Sequence, residues 1–479
     1  MFDTVLIALG IIGILLMFLP WPKFRAFVSV LITLAAALFS LVYFICFPAA
    51  ARPLSLPGAP AGTDYLLLIT LTIVLIVGCT ASLYSSGYLK FSSREHPFSP
   101  SQHRRYYVLL MTFYAALLWA PLTLNLLWLW VLVEGTALAT VFLIDFQQTR
   151  QTLEASWKYM VMMEIGGVTA LLGTLFILAG EPSGFTAVTW PQLLQHAAAI
   201  PERWLKIGFV LLTVGYGLKA GLVPLHTWLP DAHSQAPSPI SAMLSGIKIN
   251  VALYALLRYA DIMYAAGLGD FANTLLRSIG LLTVIVAVAM TTVQRDYKRL
   301  FAYSSTENMG LILLGYTLGP IGMMGAFLQM LNHALIKPGL FYLSGNLMLT
   351  HGSTDIGQVK GAVFSSPWTG RLLLLLMLAI AGAPPFGLFI SEFLILLAAF
   401  HGGLFWLGII LTAFLALLFA NFLRYALEMV FGRPSAPTEG EQVKGELGSW
   451  QTILPPLAHL FASLTMGVAL PAVWQALIH

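Results

Sequence analysis

Residues 209–259 read FVLLTVGYGLKAGLVPLHTWLPDAHSQAPSPISAMLSGIKINVALYALLRY. Lys219 stands about ten residues inside an apolar run of membrane length, too deep for an interfacial charge. Pro224, Pro230, Pro237 and Pro239 follow; each lacks a backbone donor and turns its preceding residue away from helix. One uninterrupted helix therefore cannot run through the segment. A charge at the bilayer centre costs at least about 2.5–3.5 kcal/mol, and irregular backbone at that depth survives only inside protein or beside water. A lysine next to a helix break points to an ion route lined by protein.

The rest of the chain has the same character. Its 479 residues are 58% hydrophobic and 9% charged, with mean hydropathy +0.85. Soluble domains carry about 25% charged residues, so the composition excludes a soluble enzyme and indicates a polytopic membrane protein. The net charge of +4 sits in short loops, where it orients helices, and implies no nucleic acid. Cys46 and Cys79 lie in apolar segments and read as packing thiols, and two cysteines build no disulfide scaffold, iron–sulfur site or zinc site. With no phosphate loop after a strand and no haem or flavin signature, the expectation is a chain without cofactor, metal or redox centre. The N-terminal MFDTVLIALGIIGILLMFLPW lacks a basic n-region and a cleavage site and reads as a retained first helix.

Apolar segments recur at 2–20, 25–48, 65–86, 106–120, 122–144, 157–179, 204–227, 238–260, 273–293, 300–318, 322–349, 371–400, 403–431 and 452–477. The expected fold is all-α with about fourteen transmembrane helices, the seventh broken at Pro224 and the twelfth at Pro384-Pro385 with Gly387. Breaks five spans apart predict an internal repeat, and the odd offset sets its two copies in opposite orientations. The expected organisation is helices 1–3 over 1–105, a first repeat over 106–260, a second over 273–431 and a last helix over 452–479. Most basic residues fall in loops after odd-numbered spans, Arg104, Arg105, Arg295, Lys298 and Arg299 among them, against Arg52, Arg203, Lys206, Arg258 and Arg277 after even-numbered ones. By the positive-inside rule the odd loops are cytoplasmic, and both termini lie on the outer face of the inner membrane.

Ionisable residues inside these spans are the candidate site. Glu134, in LNLLWLWVLVEGTALATVFLI, is the only charge between Pro121 and Ile144. It reads as a carboxylate for a buried cation, and Lys219 is the best candidate for that cation. Lys248 and Asn250 lie in the next span, about 200° apart on a regular helix, so only one of them can line a path with Lys219 without distortion. Two readings stand: Asn250 holds a water or relays a proton through one, while Lys248 snorkels or reaches a neighbouring helix. His333 and Lys337, spaced i, i+4, share one face before Pro338 and read as a relay, histidine being the group whose charge changes near neutral pH. Glu392 follows the second break as that half's counterpart to Lys219 and reads as an exit group. Glu307, one turn into its span, and Glu164, with only Lys158 as an evident partner, are weaker candidates. His226, Asp231 and His233 lie at or beyond the first break, in a spacing that suits loop shaping or proton uptake and matches no metal motif.

With these residues assembled, the chain resembles the antiporter-like subunits of the complex I superfamily. That group includes proton-pumping subunits of NADH:quinone oxidoreductase, large subunits of Mrp sodium/proton antiporters and subunits of hydrogenase-4-type membrane-bound hydrogenases. The likeness spans roughly 100–430 and is densest at LVPLHTWLPDAHSQAPSPISAMLSG, AYSSTENMG, LNHALIKPGLFYLSGN and APPFGLFISEFLIL. STENMG, NHALIKP and PPFGLFISEF look nearest the hydrogenase-4 component F type, with the Mrp D type second. The resemblance implies two inverted five-helix repeats and a water-linked chain of buried lysines, histidines and acids at the midplane. In it Glu134 matches the fifth-helix glutamate, Lys219 the broken-helix lysine, His333 the relay histidine and Glu392 the terminal twelfth-helix position. The usual eighth-helix lysine, four residues before the tyrosine, falls here on Asn250, with Lys248 displaced by two. The sequence stops after its fourteenth span, so the long lateral helix of the largest relatives is not expected. The function implied is proton translocation within a multisubunit complex, beside other membrane subunits, the lipid bilayer and a peripheral redox arm. A sodium/proton antiporter subunit and a non-pumping scaffold are the alternatives.

Overall fold

The computed structural model describes residues 2–19, 21–46, 64–95, 97–182, 188–433 and 445–478; Arg52 and the side chain of Cys46 lie outside the described residues. Regular structure among them is helical. In chain order the helices are α1 (Phe2–Leu16), α2 (Pro22–Cys46), α3 (Tyr65–Glu95), α4 (Pro100–Trp119), α5 (Leu126–Ile144), α6 (Arg150–Gly180), α7 (Trp190–His196), α8 (Glu202–Ala220), α9 (Trp228–Gln235) and α10 (Ser238–Met243). A π-helical turn, Leu244–Lys248, joins α10 to α11 (Ile249–Ala265). Then come α12 (Gly269–Thr291), α13 (Tyr297–Tyr316), α14 (Gly319–His351), α15 (Ala362–Ser365), α16 (Pro367–Ile380), α17 (Gly387–His401), α18 (Phe405–Phe431) and α19 (Trp450–Ile478). Eight spans among the described residues are long and apolar enough to cross a bilayer: those of α2, α3, α5, α6, α10 with α11, α12, α18 and α19. The chain is a polytopic, all-α membrane protein.

Local chemistry sets the helix ends. Asn125 caps α5 by accepting from the backbone N–H groups of Leu127 and Trp128, both at 3.0 Å. Thr149 and Thr152 form a reciprocal capping box on α6. Asp296 caps α13, accepting from the Arg299 N–H at 2.9 Å. The predicted segment 204–227 stops being helical at Ala220, where Gly221 takes the left-handed conformation at φ +77°. The Trp228 indole donates to the Leu218 carbonyl at 2.9 Å and satisfies one of the acceptors freed there. The predicted segment 371–400 is two helices, α16 and α17.

The chain forms two compact units. The first comprises Met1–Cys79, Pro100–Trp228 and Ile247–Ile279. At its centre α6 packs on α8 through glycines seven apart on both helices, Gly166 and Gly173 against Gly208 and Gly215. A Cβ at Gly215 would sit 2.5 Å from the Ala170 nitrogen, and one at Gly173 2.8 Å from the Gly208 carbonyl. The two backbones thus touch, as small residues permit in membranes. The second unit comprises Thr80–Ser99, Leu229–Gly246 and Gly280–His479, with α14 packed against α13, α17 and α19.

Two loop charges of the topology argument are in fact interior. Arg258 lies in α11, buried, ion-paired with Asp64 and stacked over Trp190 at 4.3 Å. Lys298 lies in α13, buried, with its ammonium donating to the Ala236 carbonyl at 2.9 Å. Each has found protein acceptors that a loop position would not supply. Cys79, expected to be buried, is half-buried.

Candidate functional site

In the first unit the close approach of α8 to α6 carries the end of α8 into protein. Lys219, in its last turn, is 0% exposed. Its ammonium lies 2.7 Å from Glu134 Oε1 on α5, whose side chain is 13% exposed, and donates to the Met163 carbonyl on α6 at 2.9 Å. An ion pair with a further hydrogen bond is the arrangement that lets such a charge stay in a low-dielectric interior. Room for the carboxylate comes from Gly167: a Cβ there would lie 2.5 Å from Glu134 Cδ and 2.9 Å from Oε2. Trp130 fixes this stretch of α6 by donating its indole N–H to the Gly167 carbonyl at 2.8 Å.

Lys248 reaches the same place on α6. It is 2% exposed, bonded to the Tyr159 hydroxyl, 3.1 Å from Met163 Sδ, and stacked over the rings of Tyr159 at 4.3 Å and Trp228 at 4.7 Å. Both lysines therefore touch Met163, one at its carbonyl and one at its sulfur. Buried against these groups, Lys248 takes the reading in which it reaches a neighbouring helix. The π turn that ends at Lys248 inserts a residue by its i→i+5 bonding and so rotates Lys248 relative to α10, while the step from Lys248 to Asn250 stays in regular helix. Asn250 is buried in α11. Tyr159 is held in turn by the Thr140 hydroxyl.

Glu164 differs from its expected environment. It stands in the middle of α6 on the exposed face with Val161, Ile165 and Val168, and Lys158 pairs instead with Glu154 at 2.8 Å. His226, in the break between α8 and α9, is buried.

In the second unit, Pro338 lies inside the continuous α14 just after Lys337, which is fully buried and donates to the Phe301 carbonyl at 2.5 Å and to Ser304 on α13. His333, one turn earlier, is fully buried, and its ring nitrogens meet no hydrogen-bond partner among the described residues. His233, in α9, stacks on Phe341 with centroids 4.8 Å apart, and Asp231 is ion-paired with Arg299. Ser245, in the π turn, shares a 2.7 Å hydrogen bond with Ser305 on α13. Glu307 is buried and accepts from Asn308 at 2.7 Å. From there a chain of side chains runs on: Gln329 donates to Asn308 at 2.8 Å, and Ser391 donates to Gln329 at 2.5 Å. Glu392, adjacent to Ser391, is 7% exposed and lies against Gly382, where a Cβ would collide with its carboxylate.

The sequence-predicted residues thus form two clusters: Glu134, Lys219 and Lys248 in the first unit, His333, Lys337, Glu307 and Glu392 in the second. Sequence reasoning missed Met163, Tyr159, Asn308, Gln329 and Ser391. The spacing of Gln329, His333 and Lys337, four residues apart in turn, marks one polar stripe on α14 and was the available signal. His459 was also missed. It is buried in α19, with Nδ1 donating to the Leu335 carbonyl at 2.6 Å and Nε2 accepting from the Thr80 hydroxyl at 2.9 Å.

Comparisons with known proteins show the family and the fold. A family model described as NADH:quinone oxidoreductase/Mrp antiporter, transmembrane, matches residues 123–418. A hydrogenase-4 component F homolog from Methylacidiphilum infernorum is 34% identical over 421 residues, covering 87% of this chain and 86% of that one. Among solved structures, a chain of an archaeal respiratory membrane complex, the membrane-bound sulfane sulfur reductase, superposes with TM-score 0.84 at 25% identity over 99% of this chain and 95% of that one. A chain of the Mrp complex from a Dietzia species shares the fold, with TM-score 0.80 at 19% identity over 98% and 95% of the two chains.

Proposed function

The chain belongs to the NADH:quinone oxidoreductase/Mrp antiporter transmembrane family, and we propose that it moves protons through its buried lysines, histidines and carboxylates. It does so as an antiporter-like subunit of a multisubunit energy-converting membrane complex. The observation that carries this reading is the pairing of Glu134 with the fully buried Lys219 beside Lys248, with both lysines on Met163. Paired with Glu134, the Lys219 ammonium is stabilised; when the pair opens, its proton passes toward Lys248. Uptake is near the break after α8. His333 and Lys337 carry the relay on, and Glu392 releases the proton, with the amides and hydroxyls beside Glu307 orienting it. An imidazole as buried as His333 takes part by exchanging protons with ordered water.

The same reading extends to architecture. The chain crosses the inner membrane about fourteen times with both termini on the outer face, and residues 106–260 and 273–431 are inverted repeats, each with one broken helix. Energy comes from partner subunits, a peripheral redox arm among them, and this chain carries no redox centre of its own. Glu164 supports the membrane partners: a carboxylate in mid-span on an exposed face is costly against lipid and suits a protein neighbour.

The test uses the purified complex in proteoliposomes. Lys219→Ala and Glu392→Ala are expected to leave assembly intact and to lower proton pumping at least about tenfold. Normal pumping by either variant removes that residue from the path. Transport is expected to persist without sodium; strict sodium dependence would favour a sodium/proton antiporter subunit.

A further inference from the structure

At the start of α4 the chain leaves an open cavity of about 570 Å³ in the first unit. Its polar end is Ser101, Arg104 and Arg105; its walls include Phe18 in the turn just after α1, Phe142 near the end of α5, and Val108 one turn deeper on α4. We propose that this cavity binds an anionic phospholipid, its phosphate on the two guanidiniums and its glycerol and first acyl carbons between Phe18 and Phe142.

Three observations carry the assignment. The first is unspent charge. Arg104 and Arg105 are exposed and meet no carboxylate among the described residues, the guanidinium of Arg105 lying instead 5.3 Å over the Phe142 ring. Arg25, near enough to Arg104 to feel its charge, is the contrast. It is buried and spends its Nε and one Nη on carbonyls of the turn after α1, Met17 at 2.9 Å and Leu19 at 2.6 Å. A guanidinium with no protein acceptor, on planar geometry suited to phosphate, is a free phosphate-binding group. The second is position. Arg104 and Arg105 immediately precede the apolar part of α4, and Phe18 and Phe142 are exposed. The cavity therefore spans the boundary between headgroup and hydrocarbon, on the side where the basic loops gather. The third is its two-part character. A soluble anion would use only the arginines and leave both aromatic walls against bulk solvent or lipid tails, whereas a phospholipid matches both ends. Basic pockets between transmembrane helices are sites where anionic headgroups lodge.

Each arginine near an anionic lipid contributes about 1 kcal/mol, about fivefold in affinity, so removing both costs about thirtyfold. The delipidated full-length chain, purified in neutral detergent, is titrated with fluorescent phosphatidylglycerol and with the matching phosphatidylcholine. Expected are preference for phosphatidylglycerol, about thirtyfold weaker binding by Arg104→Ala with Arg105→Ala, and retention within a few-fold by the double lysine variant. Both residues are exposed, so these variants are expected to fold, and an unchanged melting temperature verifies that. Phe142→Ala is expected to weaken the lipid but not inorganic phosphate. Equal binding of the two lipids, or unchanged affinity in the double alanine variant, overturns the proposal. Inorganic phosphate binding as tightly as the lipid overturns it as well, because the site then takes the anion alone.

Discussion

Gly167→Ala tests whether the Glu134–Lys219 contact governs transport without removing either charge. The new Cβ would meet Glu134 Oε1, the oxygen facing Lys219, first of all and would lie 2.5 Å from Cδ; ordinary contact begins near 3.4 Å, so the carboxylate must retreat by at least about 0.9 Å. The pair starts at 2.7 Å. With an effective dielectric near 20, its Coulomb attraction falls from about 6 kcal/mol there to about 4.6 kcal/mol at about 3.6 Å. The difference, about 1.5 kcal/mol, is roughly tenfold in the equilibrium between closed and open pair. The neighbouring Gly135 supplies the control: it has no atom within 4 Å of its would-be Cβ. Gly135→Ala should transport normally and gain at most about 1 kcal/mol of helix stability. The assay is the initial rate of proton uptake, read with a pH-sensitive dye in proteoliposomes holding the whole complex. Gly167→Ala is expected to change that rate by about tenfold at unchanged assembly. A wild-type rate, or an equal loss in Gly135→Ala, refutes the idea that the pair is the controlling contact.

Two further outcomes follow from the packing. Lys248→Ala is expected to stop transport, because its ammonium is what faces Tyr159 and Met163, whereas Asn250→Ala should slow it by less than about threefold. The same dye assay decides, and the reverse order would return the middle of the path to Asn250. His459→Ala leaves the Leu335 carbonyl and the Thr80 hydroxyl without that partner in a buried site, at a cost of about 1–3 kcal/mol. Thermal unfolding in detergent is expected to show a clear fall in Tm, and an unchanged Tm would mean the two groups find other partners.

The residues whose placement was legible in sequence were those whose chemistry is most expensive in a membrane. Glu134 and Lys219 are each the lone charge of a long apolar stretch, and two such charges have few ways to be satisfied except by each other. Pro224 and Pro384-Pro385 cannot be absorbed into a continuous hydrogen-bond ladder, and in the structure α8 already stops at Ala220 before Gly221 and α16 at Ile380. Neutral polar residues carry a smaller penalty and so a weaker signal. Asn308, Gln329 and Ser391 look unremarkable one by one, and only the fold lines them up beside Glu307 and Glu392. The π turn escaped because it is a change of hydrogen-bond register within a sequence that reads as ordinary helix.

Glu164 shows what kind of signal would have done better. The helix α6 is apolar on nearly every side, so hydrophobic periodicity cannot tell its lipid-facing side from its protein-facing side. The glycines can. Gly166 and Gly173 lie seven residues apart, as do Gly208 and Gly215 on α8, and such small residues mark the faces where two membrane helices meet backbone to backbone. Counting from that stripe puts Tyr159, Met163, Gly167 and Ala170 on the inner face of α6 and Glu164 off it. Met163 and Glu164 are neighbours in sequence, yet one touches both buried lysines and the other faces outward. In a membrane protein the charges announce that a site exists, and the small residues announce which side of each helix it is on.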